Sequence, residues 1–247
     1  MQAQRPGDIL IVDADEAFSA QATQTLAQQG HMVMTCRTGA EARRHLERMP
    51  YDAVLCGWRL PDEEGIHFCE FVKGQPEMPH VAVALLIDAT ADDMWVAKLY
   101  IGSQDGQSNL GPDELILRSA HMQEVAARVQ ALLHVRRYRQ EIDNALETLM
   151  SVAEGVEEQD RRARGHCKRL SIMCIELGAV LGLSEWELTA LERAAYLHDI
   201  GKVAIPGAII SKVDSLTPRE MEIIKNHCVL GEKLCRPRAD FFHPRHL

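Results

Sequence analysis

The chain has 247 residues, 46% of them hydrophobic and 26% charged, with a formal net charge of −9. That composition describes a globular protein with room for two ordinary domains, and the acidic balance argues against general nucleic-acid binding. No segment reaches 18 apolar residues uninterrupted by charge, the opening MQAQRPGDILIV lacks a signal-peptide pattern, and the seven cysteines include no C-x-x-C pair. A cytoplasmic protein with reduced core thiols and no membrane span is expected.

Short apolar runs alternate with amphipathic stretches through the first half. Ile9-Leu10-Ile11-Val12 reads as a buried strand, 16–29 as a helix carried by Phe18, Ala22 and Leu26 and ended by Gly30, and 32–36 as a second strand. A helix over 39–49, a strand at 53–56, a helix at 65–73 and a strand at 81–87 follow. A helix near 91–100, a Gly/Ser/Gln-rich loop over 102–111, the strand Leu115-Ile116-Leu117 and a helix at 121–133 complete the series. This alternation predicts a parallel sheet with helices on both faces, and ligand chemistry belongs at the carboxyl ends of its strands.

At those ends stand Val12-Asp13-Ala14-Asp15 and the run from Tyr51 to Pro61. Over residues 7–134 the sequence resembles the receiver domain of bacterial response regulators, a flavodoxin-like fold with a five-stranded parallel sheet. The resemblance implies a metal site at acidic residues after the first strand, a phosphoaccepting aspartate after the third, and a sensing cation after the fifth. Here Asp13 is kept, Ala14 replaces the second acidic residue, the phosphoacceptor position falls on Gly57, and Arg118 stands where a lysine is usual. A phosphoryl carrier needs a side-chain nucleophile, and glycine has none. A non-phosphorylatable receiver is therefore expected, able to meet a signalling partner at its face. Asp13, Asp15 and Asp62 form an acidic cluster, read either as a solvated loop-end patch or as a weak Mg²⁺ site.

From Val135 the pattern changes. Tyr138, Ile142, Ala145, Leu149, Val152 and Val156 recur at spacings of four and three, a short heptad seam flanked by Arg136, Arg137, Glu141, Glu147 and Glu154. Residues 135–156 are expected to be a helical linker joining two protomers, the alternative being an amphipathic helix packed on its own chain.

Beyond residue 157 every stretch reads helical. Ser184 with Glu187 forms a capping box that opens a helix whose apolar face runs Leu188, Leu191, Ala194, Ala195, His198. Asp199 follows, turned about 100° from His198, and Lys202 returns to that face to meet a phosphate. His166 begins another apolar face with Leu170, Met173, Cys174 and Leu177. Thr217-Pro218-Arg219-Glu220 is a strong helix start, and His227 lies among Ile223, Ile224, Leu230 and Gly231. One histidine on an apolar face is ordinarily a satisfied core residue. Three in a short helical domain, one followed by Asp, point to a shared polyhistidine-carboxylate metal site.

The run His198-Asp199-Ile200-Gly201-Lys202-Val203-Ala204-Ile205-Pro206, with Gly165-His166 upstream, Glu157 and Asp160 before it, and Thr217-Pro218 through His227 and Gly231 after it, resembles the HD superfamily of metal-dependent phosphohydrolases. Within it the likeness is to the HD-GYP cyclic di-GMP phosphodiesterases. The resemblance implies an all-α domain over 157–247, His166, His198, Asp199 and His227 as metal ligands, Glu157 as a further ligand, and Lys202 on a substrate phosphate. It implies hydrolysis of a phosphodiester at divalent metal, iron or manganese, with Asp199 and Lys202 as the catalytic pair. The family continues into His-His-Glu and Gly-Tyr-Pro segments that do not occur before Leu247, so the domain is expected to be incomplete. His243 and His246 are better read as tail than as substitute ligands, Pro244 lying between them. The competing expectation is a catalytically inactive regulator.

Overall fold

The computed structural model describes residues 6–88, 111–159 and 165–236. The expected helix near 91–100, the loop over 102–111 apart from Gly111, and Asp160, His243 and His246 lie outside them. Five strands, β1 (Asp8–Val12), β2 (Met32–Cys36), β3 (Ala53–Gly57), β4 (Ala82–Ile87) and β5 (Glu114–Leu117), form one sheet in the order β2-β1-β3-β4-β5. Every neighbouring pair is parallel. The strands β3 and β4 are buried along their whole length, as unbroken apolar runs in a sheet covered on both faces should be. Strand β2, at the edge, leaves Met32 and Met34 exposed.

Alternate side chains point to opposite faces, so the sheet builds two cores. Leu10, Val12, Val54, Cys56, Val83 and Leu85 pack with Ala42 and Leu46 of α2 (Gly39–Leu46) and with Ile66, Phe68 and Val72 of α3 (Gly65–Lys73). On the other face Ile9, Ile11, Leu55 and Leu86 meet Phe18 and Leu26 of α1 (Glu16–Gln28) and Val125, Val129 and Leu133 of α4 (Met122–Gln159). Each such large side chain contributes roughly 1.5–3 kcal/mol on burial. The register, Val12 opposite Cys56 and Gly57 opposite Leu86, brings the ends of β1, β3 and β4 level.

The chain divides into two compact units, residues 1–141 and 142–247. The division falls inside α4, which is one unbroken helix of 38 residues rather than a helix at 121–133 followed by a separate seam. No proline interrupts it, and its single glycine, Gly155, is exposed with nothing nearby for a β-carbon to meet. The change of pattern at Val135 marks a change in what the helix packs on. Leu133 is buried against the sheet, whereas Tyr138 and Ile142 are 53% and 44% exposed. Ala153 and Val156 are buried again, within the second unit.

Among the described residues the second unit is all helical: α5 (His166–Val180), α6 (Glu185–Leu197), a 3₁₀ turn (Ile200–Ala204), α7 (Gly207–Ile210), α8 (Pro218–Lys225) and α9 (His227–Cys235). Both capping boxes are formed, Ser184 with Glu187 and Thr217 with Glu220, and Pro218 stands in the first turn of α8. Gly182, at φ +76°, turns α5 into α6.

Two expectations are corrected. The helix opened by Ser184 does not carry His198 to Lys202 on one face: α6 ends at Leu197, His198 is its C-cap, and the chain tightens into the 3₁₀ turn. His227 is not mid-helix but opens α9, since Asn226 separates α8 from α9. The faces at Met173, Leu177, Val229 and Leu234 remain exposed. All seven cysteines are free, with Cys36, Cys56, Cys69 and Cys167 in the core as expected, but Cys228 and Cys235 on the surface.

Candidate functional site

In the second unit three of the expected residues converge. Asp199 caps the 3₁₀ turn, and its two carboxylate oxygens face two imidazoles: His227 Nε2 is 3.1 Å from Oδ1 and His198 Nε2 is 3.3 Å from Oδ2. Each ring has a fixed tautomer. His198 Nδ1 is 2.8 Å from the Ala195 carbonyl oxygen and His227 Nδ1 is 2.6 Å from that of Ile224. A carbonyl only accepts, so both Nδ1 atoms carry hydrogen and both Nε2 atoms are turned to the carboxylate. His166 reaches the group through His198, the two rings standing edge to face with centroids 5.4 Å apart. None of the three is deeply buried; the His198 side chain is 36% exposed.

Lys202 belongs to the same group by a different route from the one expected. Three residues beyond Asp199 in the 3₁₀ turn, its Nζ donates to Asp199 Oδ2 at 2.6 Å. Burial works against charge at Asp199, but the bond and charge of Lys202, then His198 and His227, outweigh it and hold the carboxyl below the usual carboxylate range. Glu157 is not brought to Asp199. Its two oxygens accept from the backbone N–H groups of His166 and Cys167, which makes it a cap on the start of α5. Burial and then Glu157 push the neighbouring Cys167 thiol up to about 12, so this cysteine offers no thiolate. Among the described residues no three His, Cys, Asp or Glu side chains are placed so that together they could hold a metal ion.

What brings His227 to Asp199 is a backbone contact that sequence spacing did not announce. A β-carbon on Gly201 would stand 1.9 Å from the His227 carbonyl oxygen and 2.5 Å from the Gly231 nitrogen. The 3₁₀ turn and α9 therefore touch through their main chains, and only glycine at 201 permits it. Beside Lys202 a cleft of about 540 Å³ opens among Ile205, Ile209, Lys212, Leu216 and Met221.

In the first unit the expected receiver residues also meet, with altered chemistry. Gly57 ends β3, and a β-carbon there would lie 3.1–3.2 Å from the Asp13 carboxylate. Asp13 Oδ1 accepts from the Asp15 N–H at 2.9 Å, and Asp13 Oδ2 is 2.5 Å from Arg118 Nη1. Arg118 Nε reaches Asp88 Oδ1 at 3.1 Å. Asp15 does not compensate for the missing second acid, because Oδ1 of its carboxylate caps α1 by accepting from Ala17 and Phe18. Asp62 likewise accepts from Gly39 and Ala40 at the start of α2. The acidic cluster is thus three carboxylates with separate protein donors. The sequence places Arg118 where a lysine is usual but gives no sign of its engagement with Asp13.

The response regulator receiver domain matches residues 9–105, and the HD domain matches residues 112–239. The cyclic di-GMP phosphodiesterase response regulator RpfG of Xanthomonas campestris pv. campestris is 26% identical over 202 residues, 74% of this chain and 51% of the relative. A cyclic di-GMP phosphodiesterase of Thermotoga maritima is 23% identical over 252 residues, 92% of this chain and 65% of the relative. This chain thus spans about half to two thirds of the length of these curated relatives. A solved receiver domain of an HD domain-containing protein from Pseudomonas fluorescens Pf-5 aligns over 56% of this chain and 93% of its own, at 22% identity and a TM-score of 0.47. No helix among the described residues is long and apolar enough to cross a membrane. The chain belongs to the HD domain family, its HD domain preceded by a response regulator receiver domain.

Proposed function

We propose that this protein is a metal-dependent cyclic di-GMP phosphodiesterase of the HD-GYP kind, working in the cytoplasm under the control of a receiver that is not phosphorylated at position 57. The observation that carries the reading is the pair of tautomerically fixed Nε2 atoms on opposite oxygens of Asp199. With Nδ1 protonated, a neutral imidazole presents a lone pair to the carboxylate, acceptor against acceptor. Such a contact calls for a shared cation or a second proton on each ring. Imidazole with carboxylate is a donor set that suits a divalent transition metal, iron or manganese before magnesium.

His198, Asp199 and His227 would hold that metal, with His166, whose ring stands against that of His198, as a further candidate donor. Glu157 acts from outside, fixing the start of α5 and so the place of His166. Lys202, now on Asp199, would have to give up that bond to place its ammonium on a substrate phosphate beside the cleft. When bound, a divalent metal would supply an activated water and neutralise charge on the phosphodiester. Carboxylates and cations set on short turns, rather than mid-helix, can make that exchange without unfolding a helix.

Removing the donors tests this. His198→Ala with Asp199→Ala is expected to lose most of the metal that the wild-type chain retains on purification, measured by elemental analysis, with far-UV circular dichroism largely unchanged. Unaltered metal content would show that the assignment is wrong. A wild-type chain that holds no metal and leaves cyclic di-GMP intact is instead the non-catalytic regulator.

The domain division we infer is a receiver over 1–134, a helical linker over 135–156 and the HD region over 157–247. Exposed Tyr138, Ile142 and Val152 on the linker support pairing of two chains along it, and a signalling partner would meet the receiver. Ile142→Asp is expected to shift the chain to monomer in sedimentation equilibrium. An unchanged mass for that variant removes the seam from the interface.

A further inference from the structure

The receiver's acidic site has lost its acceptor at Gly57, yet it is not an empty relic. Asp13 is almost completely buried, its side chain 1% exposed, and a buried carboxylate needs a compensating charge. Arg118 supplies it from inside the chain. Its main chain is fastened first: the Arg118 N–H donates to the Ile87 carbonyl at 2.8 Å, tying the end of β5 to the end of β4. Its guanidinium then spreads over two carboxylates, Nη1 on Asp13 and Nε on Asp88, and lies over the Phe18 ring at 5.7 Å from the centroid. One planar fork thus joins the ends of β1, β4 and β5.

The other two acids are committed elsewhere, Asp15 to the α1 N-terminus and Asp62 to the α2 N-terminus. A divalent cation such as Mg²⁺ wants several oxygen ligands and gives up its water reluctantly. At Asp13 it would find one carboxylate, already accepting from the Asp15 N–H and from Arg118.

We propose that Arg118 is an internal substitute for the metal ion at Asp13, holding the ends of β1, β4 and β5 in a single arrangement, so that this face neither takes a divalent cation nor switches. Whatever signal the receiver conveys then arrives by contact with another surface and not by metal or phosphoryl chemistry at its strand ends.

Hydrogen–deuterium exchange on the full chain, read in peptides covering 8–19, 82–88 and 114–119, tests this locally and separates it from metal bound in the second unit. In the wild type these amides are expected to exchange at the same rate with and without MgCl₂. In Arg118→Met the amides of Asp15 and Arg118 are expected to exchange about tenfold faster, the loss of one charge-assisted bond being sufficient. MgCl₂ slows them again in that variant, because Asp13 and Asp88, both released by the guanidinium, leave two carboxylates to a cation. Should Arg118→Met unfold the unit outright, Arg118→Lys carries the test. Its point charge cannot bridge both carboxylates, so exchange at 82–88 and 114–119 rises while the sheet persists. Protection by MgCl₂ in the wild type, or wild-type exchange rates in Arg118→Lys, would overturn the proposal.

Discussion

Gly201→Ala is expected to unseat α9 and to release His227 from Asp199. The new β-carbon would lie 1.9 Å from the His227 carbonyl oxygen and 2.5 Å from the Gly231 nitrogen, both main-chain atoms of α9 that cannot rotate away. The nearest relief is movement of the helix as a body, which opens the 3.1 Å approach of His227 Nε2 to Asp199. Overpacking of flexible side chains typically costs about 1–3 kcal/mol, and a rigid main-chain overlap lies at or beyond the upper end. A loss of at least about 3 kcal/mol corresponds to a fall of roughly 10 °C or more in the melting temperature of a unit this size. Calorimetry and elemental analysis check the two consequences together: the second-unit transition moves down and metal retention falls with it. Gly155→Ala is the control, since its β-carbon meets nothing and α4 is helical there. If Gly201→Ala melted like the wild type and kept its metal, the close approach of the 3₁₀ turn to α9 would not be what positions His227.

The second large effect concerns the first unit. Arg118→Met leaves the Asp13 carboxylate buried without its cation, and stripping one partner from a buried pair costs about 3–5 kcal/mol. The receiver transition should therefore fall by roughly 10 °C or more. The cause is identified by a double variant. Asp13→Asn with Arg118→Met removes the buried charge as well as its partner, so it should lose less stability than Arg118→Met alone. A double variant less stable than the single one would mean that the guanidinium matters through packing on Phe18 rather than through Asp13.

Why these effects are large bears on how the two halves of the molecule are built. In each, a glycine sits where a β-carbon would crowd its neighbours: Gly201 against the main chain of α9, and, less severely, Gly57 beside the Asp13 carboxylate. Gly65 does the same at the start of α3, where a β-carbon would meet the Gly57 carbonyl oxygen at 1.9 Å. The candidate sites are therefore held by main-chain proximity as much as by their charged groups.

The sheet and its two covering layers were legible in the residues, because buried parallel strands must be continuous apolar runs and their helices must show a 3.6-residue stripe. Both capping boxes were legible for the same local reason, a side chain reaching its own backbone three residues away. The residue types of the second-unit cluster could likewise be named from the run around His198. Their arrangement could not, since it depends on where α6 stops, on the tighter 3₁₀ turn that brings Lys202 onto Asp199, and on the break at Asn226 that makes His227 the first residue of α9. Nor does a linear chain show that Glu157 spends both oxygens on the start of α5, or that Arg118 crosses 105 positions to Asp13. Periodicity and capping are set by neighbours along the chain, so the amino-acid order determined them; the partners of a buried charge are set by which strand and helix ends meet in space, and only the tertiary structure decided those.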